Sequence, residues 1–210
     1  LEMAAGTGKT TTSAGIIKMF IRLYKVKRVL FLVDRLELET QAKKEIEEIL
    51  RNDFSTVIWK ENKDDWKKAN IIISTVQSLT KFNKYKRIFN PNSFDLVISD
   101  EAHRSLGRVS RNLFEFFIGF KLGLTATPRD YLKNVDVDHL STKNPIQLER
   151  RLMLDTYMTF GSTDGKPTFR YSLTDGVKDG FLINPLVIDI ETGISSELMS
   201  KEGIFFKGFD

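Results

Sequence analysis

The stretch Met3-Ala-Ala-Gly-Thr-Gly-Lys-Thr10 constrains this chain more than any other feature. It matches the pattern GxxxxGK[ST] except that Met3 stands where the first glycine would be. Gly6 and Gly8 let backbone N–H groups turn toward phosphates with no side chain in the way. Ile16, Ile17, Phe20, Ile21 and Tyr24 then recur at helical spacing, which predicts an amphipathic helix beginning at the loop. Its positive end would face the same phosphates. Lys9 would pair with the β- and γ-phosphates, and the hydroxyl of Thr10 would ligate Mg²⁺. Ala5, Gly6, Thr7, Gly8 and Thr11 complete the expected nucleotide cradle. Read without its surroundings, the stretch is also a glycine turn before a helix.

The rest of the chain decides between these. Apolar β-forming runs at 28–33, 56–59, 70–75, 94–99 and 120–125 alternate with helical patterns at 36–50 and 111–118. That alternation predicts an α/β fold: an open, mostly parallel sheet with helices on both faces. Ligands of such sheets sit at the carboxyl ends of the strands, and the polar motifs follow residues 33, 73, 99 and 124. From residue 129 the pattern becomes polar and loses its period. A short helix is expected at 146–157, a turn at 161–167, and strand-like runs at 168–173 and 185–191. We therefore expect an ATPase-type domain over 1–128 and an extension or connection over 129–210.

The run Val97–His103, VISDEAH, supplies the second half of a nucleotide site. An apolar strand would deliver Asp100 and Glu101 to the carboxyl edge. Asp100 would hold Mg²⁺ opposite Thr10, and Glu101 would orient and deprotonate an attacking water. His103 follows as a coupling group near the γ-phosphate, whereas His139 lies in the polar stretch and reads as solvated. In Gly123–Pro128, GLTATP, Thr125 and Thr127 would hydrogen-bond His103 or the acidic strand and report the nucleotide state.

A 41% hydrophobic share is enough for a real core. No apolar run approaches the roughly 18 residues that span a bilayer, so no membrane role is expected. Cysteine is absent, which excludes disulfides and thiolate metal sites and fits the cytoplasm. A net charge of +4 permits contact with phosphate backbones. Leu1 runs almost directly into the motif, so the chain reads as an internal fragment of something longer.

AAGTGKT, DEAH and TAT, in this order and spacing, resemble the first RecA-like motor domain of superfamily 2 helicases and translocases. FLVDRLELETQA, DEAHRS, GLTATPRDYL, DTYMTFG and PTFRYSLTDGVKDGFLINP further resemble the R subunit of type I restriction enzymes. The resemblance covers essentially the whole chain. It implies ATP and Mg²⁺ as cofactors and double-stranded DNA as the track. It also implies partner methyltransferase and specificity subunits, and a nuclease domain upstream. It places DNA-backbone contacts at Arg35, Ser74, Thr75 and Gln77. A second RecA-like domain would supply arginines to the transition state, so a fragment without it is expected to bind nucleotide weakly and turn over slowly. Two other readings stay open: a repair or remodelling helicase of the same superfamily, and a nucleotide-gated binding module with vestigial hydrolysis.

Overall fold

The computed structural model describes residues 1–23, 26–51, 53–61, 64–104, 107–133, 135, 141, 143–162 and 164–184. Tyr24, His139 and the strand expected at 185–191 lie outside the described residues.

Five strands form an all-parallel sheet: β2 (Val29–Val33), β3 (Thr56–Ile58), β4 (Ile71–Thr75), β5 (Leu96–Ser99) and β6 (Phe120–Gly123), in the order β3-β4-β2-β5-β6. The central strands are buried on both faces, which explains their continuous apolar runs. Alternation survives inside those runs. Val29, Phe31, Val33, Ile71, Ile73, Leu96 and Ile98 pack in one layer with Ala14 and Ile17 of α1 (Lys9–Leu23) and Ala42, Ile46 and Leu50 of α2 (Glu37–Leu50). Leu30, Leu32, Ile72 and Val97 face the opposite layer. There they meet α3 (Val76–Thr80), α4 (Lys84–Ile88) and α5 (Arg108–Phe116) through Leu79, Tyr85, Leu113 and Phe114. Helices therefore cover both faces, as expected of the α/β class.

Several elements were not legible in the sequence. A two-residue strand, β1 (Glu2–Met3), pairs in parallel with β7 (Arg170–Tyr171). Met3 N–H also donates to Thr125 O at 2.9 Å, and Thr125 N–H donates to Leu1 O at 3.1 Å, so β1 bridges β7 and the end of β6. The short helices α3 and α4 follow β4 directly, and no helical pattern was read there in the sequence. The helix expected at 146–157 is broken in two, α6 (Pro145–Leu154) and α7 (Thr156–Thr159). Asp155 causes the break: its extended backbone ends α6, and its carboxylate accepts from Met158 N–H to cap α7. The strand at 168–173 shrinks to β7 because Ser172 and Asp175 form a reciprocal capping box that starts α8 (Leu173–Lys178).

Phe31 is fully buried in the layer under α1 and α2. Phe31→Ala is expected to lower stability by about 3–5 kcal/mol, read by chemical denaturation, whereas Leu36→Ala, at an exposed side chain, should change it by less than about 0.5 kcal/mol.

Candidate functional site

β1 delivers the glycine loop to the carboxyl edge of the sheet. Ala4 N–H donates to Tyr171 O at 3.0 Å, and the chain then turns, with the Thr7 hydroxyl donating to Ala4 O at 2.7 Å. Gly6 and Gly8 have φ of 77° and 80°, left-handed values that a side chain would strain. α1 begins at Lys9, so the first-turn amides of Lys9, Thr10 and Thr11 have no acceptor within the helix. The Thr11 hydroxyl instead donates to Glu45 of α2 at 3.1 Å, which ties the loop to that helix. From behind, Leu182 supports the loop: a Cβ on Gly6 would lie 3.2 Å from its side chain, and one on Gly176 of α8 only 2.8 Å from it.

β5 brings the acidic pair to the same place. Asp100 N–H donates to Leu32 O at 2.8 Å, and the Asp100 carboxylate accepts from Glu101 N–H at 3.0 Å. Glu101 adopts φ of 48°, an uncommon left-handed backbone for a non-glycine residue. Its carboxylate lies 3.9 Å from Lys9 Nζ on one side and 3.4 Å from His103 Nδ1 on the other. His103 Nδ1 is in turn 2.8 Å from the Thr125 hydroxyl oxygen, which also accepts from Thr127 N–H at 3.1 Å. A chain of polar contacts thus runs from Lys9 through Glu101 and His103 to Thr125. The structure brings Lys9, Asp100, Glu101, His103 and Thr125 together. Thr127 is exposed and joins the chain through its amide.

Burial pushes the Asp100 carboxyl above its ordinary range, against the opposing pull of the Glu101 N–H. Burial pushes the His103 imidazole down, with the Glu101 carboxylate opposing. A neutral His103 is therefore favoured. A buried carboxylate such as Asp100 gains from a cation placed beside it. Among the described residues no group of three or more His, Cys, Asp or Glu could hold a metal. One carboxylate and one hydroxyl, from Asp100 and Thr10, suit Mg²⁺, which ordinarily completes its shell with phosphate oxygens and water.

The four residues expected to touch DNA differ in exposure. Arg35 and Gln77 are exposed and line a cleft of about 760 Å³ beyond β2 and β4, and Thr75, largely buried, lines it too. Ser74 is fully buried. The Ser74 hydroxyl donates to Thr75 O at 3.3 Å, and the Thr75 hydroxyl caps α3 by accepting from Ser78 N–H at 3.2 Å. Thr75 N–H donates to Glu39 of α2 at 2.9 Å, and burial raises the Glu39 carboxyl. Thr75 therefore fixes where α3 starts. Glu39, Glu45 and Leu182 had no signal in the sequence. Arg104, which meets Asp34 at 3.0 Å, is another such residue.

A carboxyl whose folded pKa lies above its unfolded value costs stability at neutral pH, and the cost fades as pH falls through the folded pKa toward the unfolded one. Asp100→Asn is thus expected to melt higher than the parent at neutral pH without nucleotide, with the gap closing in acid, and to lose Mg²⁺-dependent nucleotide binding. A lower melting temperature at neutral pH would contradict the assignment.

Comparison with known proteins gives the family. The model of a family described as type III restriction enzyme, res subunit, matches residues 1–130. The endonuclease subunit of the type I restriction enzyme EcoAI from Escherichia coli is 29% identical over 205 residues, covering 92% of this chain and 22% of its own length. The EcoKI endonuclease subunit from Escherichia coli strain K12 is 31% identical over 212 residues, covering 88% of this chain and 16% of its own. This chain thus spans well under a quarter of these relatives. A solved fragment assigned to an HsdR subunit of a type I restriction enzyme from Vibrio vulnificus YJ016 superposes with a TM-score of 0.53 at 26% identity, over 86% of this chain and 27% of that one. The chain belongs to the res-subunit family, as a superfamily 2 helicase-like RecA domain similar to the endonuclease subunits of type I restriction enzymes.

Proposed function

We propose that the chain is the ATP-driven, duplex-DNA-translocating motor domain of a type I restriction endonuclease R subunit. One observation carries this reading: Lys9, from the glycine loop, stands 3.9 Å from Glu101, from the acidic strand end, with Asp100 beside it. A glycine turn or a strand-end acidic cap alone does not require the other.

In this reading the amides of residues 5–11 and the Lys9 ammonium hold the triphosphate of ATP. Thr10 and Asp100 hold Mg²⁺, which when bound neutralises phosphate charge. Glu101 orients the attacking water and accepts its proton. The ammonium of Lys9 is close enough to Glu101 to hold its carboxylate until a triphosphate claims the lysine. His103 then reports the state of Glu101 to Thr125. Arg129 N–H donates to the Thr156 hydroxyl at 2.8 Å, so the segment after Thr125 is tied to α7. That tie gives a route from the acids into residues 129–210, which we assign as the connection from the 1–128 ATPase domain to a second RecA-like domain. The second domain would supply an arginine to the transition state. Methyltransferase and specificity subunits would provide target recognition, since no residue of this site reads bases. The restriction-subunit reading would place the protein in the cytoplasm. Among the described residues no helix is long and apolar enough to cross a membrane.

The test is DNA-stimulated ATP hydrolysis by the full-length protein. Glu101→Gln is expected to reduce the rate by at least about 10²-fold while nucleotide still binds. Equal rates for parent and variant would remove Glu101 from the mechanism, and absence of hydrolysis by both would favour a nucleotide-gated binding module.

A further inference from the structure

We propose that Leu182 is a positioning residue for the nucleotide: wedged by α8 under Gly6, it holds the glycine loop in the shape that receives a triphosphate. The nucleotide site then reaches beyond residues 1–128 into the segment 168–182. This role rests on the nucleotide reading of the loop and deepens it by naming what fixes the loop's shape.

The loop needs support from outside for a physical reason. Gly6 and Gly8 reach left-handed backbone, with φ of 77° and 80°, because they carry no side chain. The same freedom opens other shapes to the empty loop, and fixing a glycine costs more backbone entropy than fixing any other residue. A loop that must be ordered on binding loses affinity to that ordering, whereas a loop held in advance does not. Leu182 is placed to hold it. A Cβ on Gly6 would lie 3.2 Å from Leu182 Cδ2, so the leucine methyl stands close against the bare Cα of the loop. Gly176 flanks the leucine on its other side. A Cβ there would lie 2.8 Å from Leu182 Cδ1 and 3.3 Å from Thr7 Cγ2, so α8 comes this close to wedge and loop only because residue 176 is glycine.

The wedge is also anchored. Phe181 N–H and Leu182 N–H both donate to Gly176 O at 2.9 Å, which wraps the chain back over the end of α8. Phe181 and Ile183 are 74% and 93% exposed, while Leu182 between them is partly buried, so the turn aims one apolar side chain at the loop. β7, just before α8, pairs with β1, just before the loop. Glu2 N–H donates to Phe169 O at 2.9 Å, and Ala4 N–H to Tyr171 O at 3.0 Å. The Glu2 carboxylate uses both oxygens across this junction, accepting from the Tyr157 hydroxyl at 3.0 Å and meeting Arg170 at 3.1 Å. Burial and the bond to Glu2 push the Tyr157 hydroxyl up to about 12, so it stays a donor at neutral pH. Loop and wedge thus stand on one frame, and the wedge acts as a fixed stop.

The test measures ATP affinity and DNA-stimulated ATP hydrolysis of the full-length protein. Leu182→Ala is expected to raise both Kd and KM for ATP about tenfold, with kcat within about twofold of the parent, because saturating nucleotide orders the loop by itself. Leu182→Met, of similar volume, should keep the parent values. Leu182→Val is a milder truncation, expected to raise KM about threefold, and it carries the test should the alanine variant not fold. Gly176→Ala should also raise KM, since its methyl drives the leucine against the loop. Combined with Leu182→Ala it should weaken binding by less than the product of the two single effects, because the shortened side chain makes room for that methyl. If the variants melt lower than the parent but keep its Kd and KM for ATP, Leu182 serves folding alone and the proposal fails while the motor reading stands. If the parent itself binds no ATP, the nucleotide reading fails and takes the proposal with it.

Discussion

The polar chemistry of this domain stands along one edge because the sheet has no room for it anywhere else. β2, β4 and β5 are buried on both faces, so their peptide groups pair with one another and their side chains are apolar until the carboxyl ends, where Ser74, Thr75 and Ser99 stand. Parallel pairing then sets every strand end on the same side. Asp34 and Arg35 follow β2, Thr75 closes β4, Asp100 and Glu101 follow β5, and Thr125 follows β6. The glycine loop joins this row through the backbone hydrogen bonds that Leu1 and Met3 exchange with Thr125, through the pairing of β1 with β7, and through the packing of α1 on the sheet.

The row divides into two working regions that share a scaffold. At one end, Lys9, Glu101, His103 and Thr125 form a continuous polar chain around the place where phosphates would sit. At the other, α3 and α4 shape a cationic cleft. Asp34 and Arg104 join the two regions, because Arg104 comes from the segment after the acidic pair and Asp34 from the rim of the cleft. Glu39 does the same from α2, receiving the amide of Thr75 where the cleft begins. A change in how Glu101 and His103 pack therefore has a short physical path to the cleft.

Much of this was legible in the residues, and the exceptions have physical causes. Continuous apolar runs gave away β2, β4 and β5, and helical spacing gave away α1 and α2, because burial imposes those patterns. The glycine turn ahead of α1 and the acidic end of β5 were legible as structure, because left-handed backbone favours glycine and a buried strand stays apolar almost to its end. β1 was not legible, since two residues are too few to carry a period, and nothing showed that it pairs with β7, inside the run expected at 168–173, across almost the whole described chain. The sequence did not show that the Thr75 hydroxyl caps α3, because a hydroxyl suits a helix cap and a phosphate contact alike. Nothing in composition shows that Glu39 is buried, that Leu182 supports Gly6, or that Phe82 stands exposed in left-handed backbone.

The central claim is that the glycine loop and the acidic pair serve one triphosphate. It is tested most directly by a crystal structure of the protein with a non-hydrolysable ATP analogue and Mn²⁺ in place of Mg²⁺. The account predicts an anomalous Mn²⁺ peak between the Thr10 hydroxyl and the Asp100 carboxylate, with the terminal phosphate against Lys9. A triphosphate bound at the glycine loop with the Mn²⁺ away from Asp100, or a nucleotide seated elsewhere, would contradict it.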